Sequence, residues 1–375
     1  MNDLASLLAQ TSFSGTDLLR LLSLTDPEQI EALRQAAYDL TTAEVGDTVH
    51  YRGLVEVSNI CALDCHYCGI RKGNREVERY CLSKEEVVEA ALWSGQAGFG
   101  SCVLQSGERR DAKYIAFIEE CVAEIKARSV SPALPQGLGI TLSLGEQSLQ
   151  TYRRWKAAGA HRYLLRIESA NSELFARIHP GSQRFESRTR ALDDLKEAGY
   201  QVGTGVMIGL PGQTLADLAA DIRFFASRDI DMIGMGPYIV ASGSAMFDAG
   251  MMESEPLLQL ALKMIAVTRL ALRDVNIAST TALEALAKNG RERGIAFGAN
   301  VAMPNLTPQE MRKNYQLYQG KPGIDQVPAQ SREGLERSVL ACGRRVGWNS
   351  WGDPRHFGKR TGSTVTAPPP CAGSR

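Results

Sequence analysis

The sequence predicts an α/β protein closed into a (β/α)8 barrel of the TIM type, preceded by a short helical extension. Two observations carry that expectation. Short apolar runs rich in β-branched residues alternate with amphipathic stretches along most of the 375 residues. Unusual polar residues then recur at the ends of the apolar runs, the phase expected where loops after parallel strands gather at one face.

Taken in order, residues 1–48 read as an N-terminal helical extension, with helical patterns at 18–24 and 27–40. Candidate strands follow at 54–58, 102–105, 139–143 and 163–167, then at 203–208, 232–235, 276–279 and 299–302. Helical patterns fill the gaps at 84–94, 111–128, 146–158, 187–198, 215–227 and 255–273. Ser83 with Glu86 forms a capping box, and Gly159 and Gly199 sit where helices end. The barrel is expected over residues 49–325 and a C-terminal helical segment over 326–359. A disordered tail is expected over 360–375, where Ala367-Pro-Pro-Pro offers no core.

Composition excludes several classes. Acidic and basic residues balance at 42 each, so there is no basic footprint for nucleic acid and no cationic face for a membrane. No run of eighteen apolar residues occurs, and the N-terminus lacks a basic-then-apolar leader. The reading is a cytoplasmic protein, with a monomer favoured by neutral charge and an intact barrel. Eight cysteines fit a compartment that keeps thiols reduced.

Three of those cysteines, Cys61, Cys65 and Cys68, are spaced Cys-x3-Cys-x2-Cys, with Tyr67 before the last. Thiolates are soft ligands suited to iron–sulfur clusters, zinc or copper(I). Three on one short loop would hold three irons of a 4Fe–4S cube and leave the fourth open for chemistry. The plainer alternative is a structural zinc site completed by Cys81 or His66. Such sites usually pair two Cys-x2-Cys knuckles, and no second knuckle exists in the sequence. Cys81, Cys102, Cys121, Cys342 and Cys371 read as small buried or incidental thiols.

The strand ends supply further candidates. Gln105-Ser-Gly-Glu108 ends the second strand, Ser143 the third and Glu168 the fourth. Glu168 can bond a ribose diol or an ammonium, and Arg188 can pair with a carboxylate. The alternatives are a turn residue for Ser143, an N-cap neighbour for Glu168 and a solvated helix residue for Arg188. Arg166, Thr280 and Thr281 can line an anionic pocket or simply bond one another inside the mouth. Tyr315 and Tyr318 fall in a last helix or lid, with core packing as the default. The glycines of 203–209 are spaced one residue too far for a dinucleotide fingerprint, so NAD is rejected. They read as backbone approaching a ligand or cluster.

The cysteine run resembles the signature of the radical S-adenosylmethionine (SAM) superfamily. From residue 55 to about 321 the resemblance narrows to the HydE family, the radical SAM maturases of iron–iron hydrogenase. It rests on Val103-Leu-Gln-Ser-Gly-Glu, Thr141-Leu-Ser-Leu-Gly-Glu and Arg162-Tyr-Leu-Leu-Arg-Ile-Glu, then Gly209-Leu-Pro-Gly-Gln-Thr, Asp231-Met-Ile-Gly-Met-Gly-Pro and Gly298-Ala-Asn-Val-Ala-Met-Pro-Asn, in family order.

The resemblance implies a barrel of the radical SAM type with a 4Fe–4S cluster on Cys61, Cys65 and Cys68, and SAM on its open iron. Ser143, Glu168 and Arg188 are implied as SAM contacts. The loop of Ser106, Gly107 and Glu108 is implied to receive the SAM amino group. There the family superfold's double glycine is replaced by Gln-Ser-Gly-Glu, so the backbone of Ser106 and Gly107 stands in. Arg166, Thr280, Thr281 and Tyr318 are implied as the substrate cavity lining. The implied activity is reductive cleavage of SAM to a 5′-deoxyadenosyl radical. That radical would attack the sulfur of an iron–carbonyl–cyanide–cysteine precursor made by HydG. Transient contact with HydG, HydF and an electron donor is implied, and no side-chain catalytic base.

One departure bears on the cofactor count. Many family members carry an accessory cluster on three further cysteines, whereas residues 322–346 hold only Cys342. A single cluster is therefore expected, which also argues against a biotin synthase, where a second cluster donates sulfur. Two alternatives stand: a methylornithine synthase-like mutase, whose cavity should present a carboxylate to a substrate ammonium, and a non-catalytic zinc-binding protein.

Overall fold

A computed structural model describes residues 2–323 and 328–362. Cys371 and the rest of the tail from residue 363 lie outside the described residues, as does the expected boundary at 325.

Eight parallel strands form the barrel: β1 (Thr48–Ser58), β2 (Ser101–Ser106), β3 (Gly139–Ser143), β4 (Arg162–Leu164), β5 (Gln201–Thr204), β6 (Met232–Ile233), β7 (Asn276–Ile277) and β8 (Val301–Ala302). They pair in chain order from β1 to β7, and β8 returns to β1 through His50 and Tyr51. The seam between β7 and β8 is closed by a bridge from Ala278 to Val301. Two backbone bonds support it, Ser279 N to Val301 O and Asn300 N to Ile277 O, each 2.9 Å.

Every expected strand is present, but β4 to β8 are shorter than their apolar runs. The chain stays paired beyond them without regular ladder geometry: Leu165 N donates to Gly203 O and Ile167 N to Gly205 O. Glycine is the reason at β5, since a Cβ on Gly205 would lie 1.9 Å from the Gly234 carbonyl oxygen. The glycines expected to approach a ligand thus let two neighbouring strands touch. Beyond the bend, Met207–Ile208 pairs with Gly236–Pro237.

The helices start where polar caps satisfy free N–H groups. Ser83 and Glu86 form the expected capping box of helix Lys84–Gln96, and Thr214 and Asp217 that of Leu215–Ser227. Asp111 caps Ala112–Arg128 through Tyr114 N. Their apolar faces bury Val88, Ile118 and Phe225, and helices Leu149–Ala158 and Phe185–Glu197 bury Trp155 and Leu192, against the outer side of the sheet. A fully buried side chain of this size contributes about 1.5–3 kcal/mol. Trp155 also places its indole N–H on the Ile115 carbonyl, 3.0 Å away.

Before the barrel, helices Asn2–Leu8, Gly15–Leu22 and Pro27–Glu44 pack on helix Ser254–Ala271 and its neighbours. After it comes helix Pro328–Ala341. The chain then adds Arg345–Val346 beside β1, passes under the N-terminal ends of the strands, and ends in helix Arg355–Thr361. Gly100 sits so close to this segment that a Cβ there would lie 1.9 Å from Ser350 O. With the bottom sealed this way, the strands' C-terminal ends are the open face.

Candidate metal centre and barrel mouth

β1 runs directly into the cysteine loop, which returns as far as Cys81, bridged to Ser58. The loop is built around Arg79. Its guanidinium donates to the carbonyls of Asn59 (2.7 Å), Ile70 (2.8 Å), Arg71 (2.5 Å) and Asn74 (2.9 Å), so one side chain ties both halves of the loop together. Asn59 adds a second tie: its amide nitrogen donates to Glu78 O and Asn314 O, and its oxygen accepts from Tyr80 N. Asp64 completes the turn by accepting from Gly73 N and pairing with Arg71.

The loop after β2 presses against this turn. A Cβ on Gly107 would lie 2.5 Å from Ile60 O and 2.7 Å from the Cys61 Cβ, so glycine permits the approach. As a result Glu108 N reaches Cys61 Sγ at 3.3 Å, joined by Leu63 N at 3.4 Å. Two backbone donors on one sulfur suit a thiolate rather than a neutral thiol.

Burial opposes ionisation of all three thiols. It pushes Cys65 up to about 12, against an opposing pull from Arg188, and Cys68 higher still, with Cys65 and Cys61 adding to the rise. Cys61 is also raised by burial, with Leu63 N–H and Glu108 N–H opposing. Without a cation beside them the thiols stay protonated, so ligation and loss of the protons occur together. A single-ion zinc cage finds less support. His66 gives its Nδ1 to Arg177 O at 3.0 Å, and Cys81 is exposed. Among the described residues no three His, Cys, Asp or Glu side chains are grouped to hold one ion.

Around the thiols lies a charged network from the loops after β2, β3 and β4 and from helix Phe185–Glu197. Arg188, on helix Phe185–Glu197, is 6% exposed, so it is not a solvated helix residue. Its Nε meets Glu146 Oε1 at 2.6 Å, and its NH1 donates to the Arg166 carbonyl. Burial alone would lower this guanidinium, but Glu146 outweighs it and the net shift is upward. Burial would likewise raise Glu146, and Arg188 reverses the sign. Glu146 Oε2 also accepts from Ser187 at 2.7 Å. Glu108 lies alongside, with Oε1 paired to Arg110 at 2.6 Å and Oε2 accepting from Glu146 N at 2.8 Å. Burial holds Glu108 above the ordinary carboxylate range despite Arg188.

Glu168 stands at φ 62°, a left-handed backbone that a non-glycine residue adopts only under constraint. The constraint is visible: its N–H donates to Gly205 O and its carbonyl accepts from Met207 N. The side chain pairs with Arg166 at 2.9 Å, and Arg166 NH2 also donates to Val206 O. Both Arg188 and Glu108 lie within electrostatic reach of Cys65, and Glu168 of Cys68. The structure therefore brings Glu108, Glu168 and Arg188 to the cysteine loop.

Deeper in the barrel, Glu56, Gln105 and Ser143 occupy one register layer of β1, β2 and β3. Ser143 is half-buried there. Glu56 is fully buried and paired with Lys321, while Asn305 donates to its other oxygen at 3.1 Å. Gln105 donates to the Tyr315 hydroxyl at 3.3 Å, and Lys321 to the Tyr315 carbonyl at 2.9 Å. Tyr315 and Tyr318 belong to a segment lying over the mouth: Gly69 N donates to Leu317 O, and Gln319 N to Val240 O. Thr281 meets the Tyr318 hydroxyl at 3.1 Å, and Thr280 donates to Met235 O at 3.4 Å. Burial pushes the Tyr318 phenol up to about 12, which keeps it a neutral hydroxyl.

Sequence reading overlooked Glu146, Arg79, Glu56 and Lys321. Glu146 had a signal, since it follows β3 in the same phase as Glu108 follows β2. The Glu56–Lys321 pair had none, because 265 residues separate its members.

The comparisons with known proteins agree with this geometry. Residues 55–225 match the model of the radical SAM superfamily. The chain is 40% identical over 346 residues to the FeFe hydrogenase maturase subunit HydE of Thermotoga maritima, covering 92% of this chain and 95% of that one. A 3-methylornithine synthase of Methanosarcina acetivorans is 27% identical over 307 residues, covering 80% and 83%. Among solved structures, methylornithine synthase (PylB) superposes with a TM-score of 0.75 at 21% identity, covering 92% and 97%. The hydrogenase maturase HydG of Carboxydothermus hydrogenoformans gives 0.77 at 20% identity, covering 92% and 80%. Those two likenesses establish the fold. The near full-length match at 40% identity establishes more: this chain is a radical SAM enzyme and belongs to the HydE family of hydrogenase maturases, a family built on a 4Fe–4S cluster and SAM.

Proposed function

We propose that this maturase acts on an iron–carbonyl–cyanide–cysteine precursor of the hydrogenase cofactor, at the cysteine sulfur, using one cluster held by Cys61, Cys65 and Cys68. With SAM, the cluster supplies a 5′-deoxyadenosyl radical. The chain's own work is binding, orientation and exclusion of water. Arg188, fixed by Glu146, offers its remaining capacity to the SAM carboxylate, and Glu168 takes the ribose or ammonium end. Ser143 bonds SAM from the β3 end. Ser106, Gly107 and Glu108 receive the amino group, with backbone carbonyls and the raised Glu108 carboxyl as acceptors. Arg166, Thr280, Thr281 and Tyr318 line the substrate cavity, under the segment that carries the two tyrosines.

One observation favours this substrate over an amino acid bearing an ammonium group. Deep in the barrel, where a substrate ammonium would need a carboxylate, the buried Glu56 already holds Lys321 of the chain. The proposed lining is the hydroxyls of Thr280, Thr281 and Tyr318 with the half-buried Arg166, which suit an anionic complex. A single cluster is supported by the sequence, in which Cys342 stands alone between residues 322 and 346. HydG is the proposed supplier and HydF the proposed recipient. No helix among the described residues is long and apolar enough to cross a membrane, in keeping with a cytoplasmic site of action.

The test is a hydrogenase-maturation strain lacking its own maturase of this family. The intact gene should restore hydrogenase activity and Cys65→Ser should not. Purified protein supplied with SAM, dithionite and the cysteine-bound precursor should consume SAM faster than with lysine, releasing methionine and leaving the adenosyl group bonded to the precursor's sulfur rather than free as 5′-deoxyadenosine. Turnover on lysine alone would replace this reading with the mutase.

A further inference from the structure

The connection between helices Ser172–Ile178 and Phe185–Glu197 is held against the cysteine loop. His66 N donates to Ile178 O at 2.9 Å, and the Tyr67 hydroxyl lies 3.4 Å from His179 Nε2. Gln183 sits in this connection, 7% exposed, its backbone N–H on Pro180 O. Its Oε1 lies 3.4 Å from Cys65 Sγ and accepts the thiol proton. On the same amide, Nε2 is buried with no hydrogen-bond partner.

That arrangement fits a thiol and not a thiolate. Ligation of iron removes the Cys65 proton, leaving Oε1 facing a sulfur lone pair while a buried donor two bonds away goes unmet. A half turn of the amide about χ3 exchanges oxygen and nitrogen and cures both faults, because the two groups are nearly the same shape. Gln183 is thus a better partner for the ligated sulfur than for the free one.

We propose that, with the cluster in place, the Gln183 side-chain amide donates an N–H···S hydrogen bond to the Cys65 thiolate and raises the cluster's reduction potential. This rests on the reading of Cys65 as a cluster ligand. A donor on a ligand sulfur draws charge from it and favours the more negative, reduced state, so hydrogen bonds to the sulfurs are among the determinants of potential. Cys61 takes its donors from the backbone, which substitution barely alters. Cys65 takes this one from a side chain, with the Tyr67 hydroxyl as its neighbour. Gln183 is a positioning and tuning residue in this account, since nothing in the proposal has it touch SAM or substrate.

The experiment uses full-length protein reconstituted anaerobically as wild type, Gln183→Leu and Gln183→Glu. Iron content and the reduced-cluster EPR signal come first. Their absence in wild type would defeat the cluster reading itself, a failure separate from this one. Protein labelled with nitrogen-15 in the glutamine side chains is then reduced and measured by hyperfine EPR. A weak nitrogen-15 coupling is expected in wild type and should vanish in both variants. EPR-monitored titration should place both variants at a more negative midpoint potential, Gln183→Glu the lower of the two because it adds a charge. If the variants do not retain a cluster, the coupling in wild type decides alone. No side-chain coupling in wild type, or unchanged midpoints at full iron content in both variants, overturns the proposal.

Discussion

The two ends of this barrel solve the same electrostatic problem in opposite ways. At the bottom, Arg162 is fully buried on β4 and paired with Asp353, with Thr141 and the Trp351 carbonyl taking two more of its N–H groups at 2.9 Å. Arg52 and Asn276 both donate to the Gly352 carbonyl, at 3.0 Å and 2.7 Å. His161 lies against Trp351, and burial lowers it to about 3, so it is a neutral ring. The C-terminal segment supplies most of these partners. At the mouth, by contrast, Glu108, Glu146 and the pair Arg166 and Glu168 come from the segments after β2, β3 and β4, and Arg188 from helix Phe185–Glu197. Their mutual pairs leave Ser143 and Arg166 half-buried and three thiols without a compensating charge. Charges inside a barrel need partners wherever they stand. Where the C-terminal segment supplies most of the partners, with atoms such as Arg52 Nε and Arg162 NH2 left unmet, the result is a seal, and where three thiols are gathered beside the charged pairs the result is a site.

The comparison can be broken most severely at the thiols. Cys65→Ser should leave the barrel folded, by circular dichroism and thermal melting, while bound iron and SAM cleavage fall to background. Loss of fold would mean that the mouth is a structural site like the bottom.

Next in size are the two buried arginines. Arg188→Met strands Glu146 and Arg162→Met strands Asp353, and losing one member of a buried pair costs about 3–5 kcal/mol. Denaturant midpoints should fall for both. Only Arg188→Met should also weaken SAM binding in equilibrium dialysis at a temperature where both variants remain folded. Equal loss of SAM affinity in the two would erase the distinction drawn between the ends.

A smaller effect is expected at the lid. Thr281→Val removes the contact with the Tyr318 hydroxyl and should cost about 0.5–1.5 kcal/mol of stability. Proteolysis within residues 314–321 should accelerate in that variant, and an unchanged rate would show that the contact does not hold the segment.

The smallest is a pH effect at the bottom. Hydrogen bonds to Asp274, with Asp229 adding to them, raise the His356 pKa, and they tie helix Arg355–Thr361 to the barrel. The folded state therefore holds this proton more tightly than the unfolded chain. The tie is fully present below the ordinary histidine value of 6.5 and is lost as pH rises through the elevated folded value. The melting-temperature gap between wild type and His356→Gln should narrow on going from pH 6 towards alkaline pH. A gap that widens would refute the sign.

Much of the fold was legible because its signals are local. Apolar runs, capping pairs such as Ser83 with Glu86, and the loop phase each need only a few consecutive residues. Strand lengths were not, because β5 bends where Gly205 meets the Gly234 carbonyl, a contact between strands. Arg188 shows the same limit at the site. As a sequence position it reads better as a solvated helix residue, and only packing makes it a buried cation. Glu168 reads from sequence as a ribose or ammonium contact or as an N-cap neighbour, whereas its left-handed backbone and its clamp between Gly205 and Met207 belong to the fold.

By itself the sequence determined the cysteine loop, the strand–helix alternation and the family, since each is written in residues that stand near one another. Tertiary structure alone decided the partners. Arg188 reaches Glu146 across 42 residues, Cys65 reaches Gln183 across 118, and Lys321 reaches Glu56 across 265. Burial decides what those partners do, because a charge or a thiol taken out of water depends on the few groups that the fold brings against it.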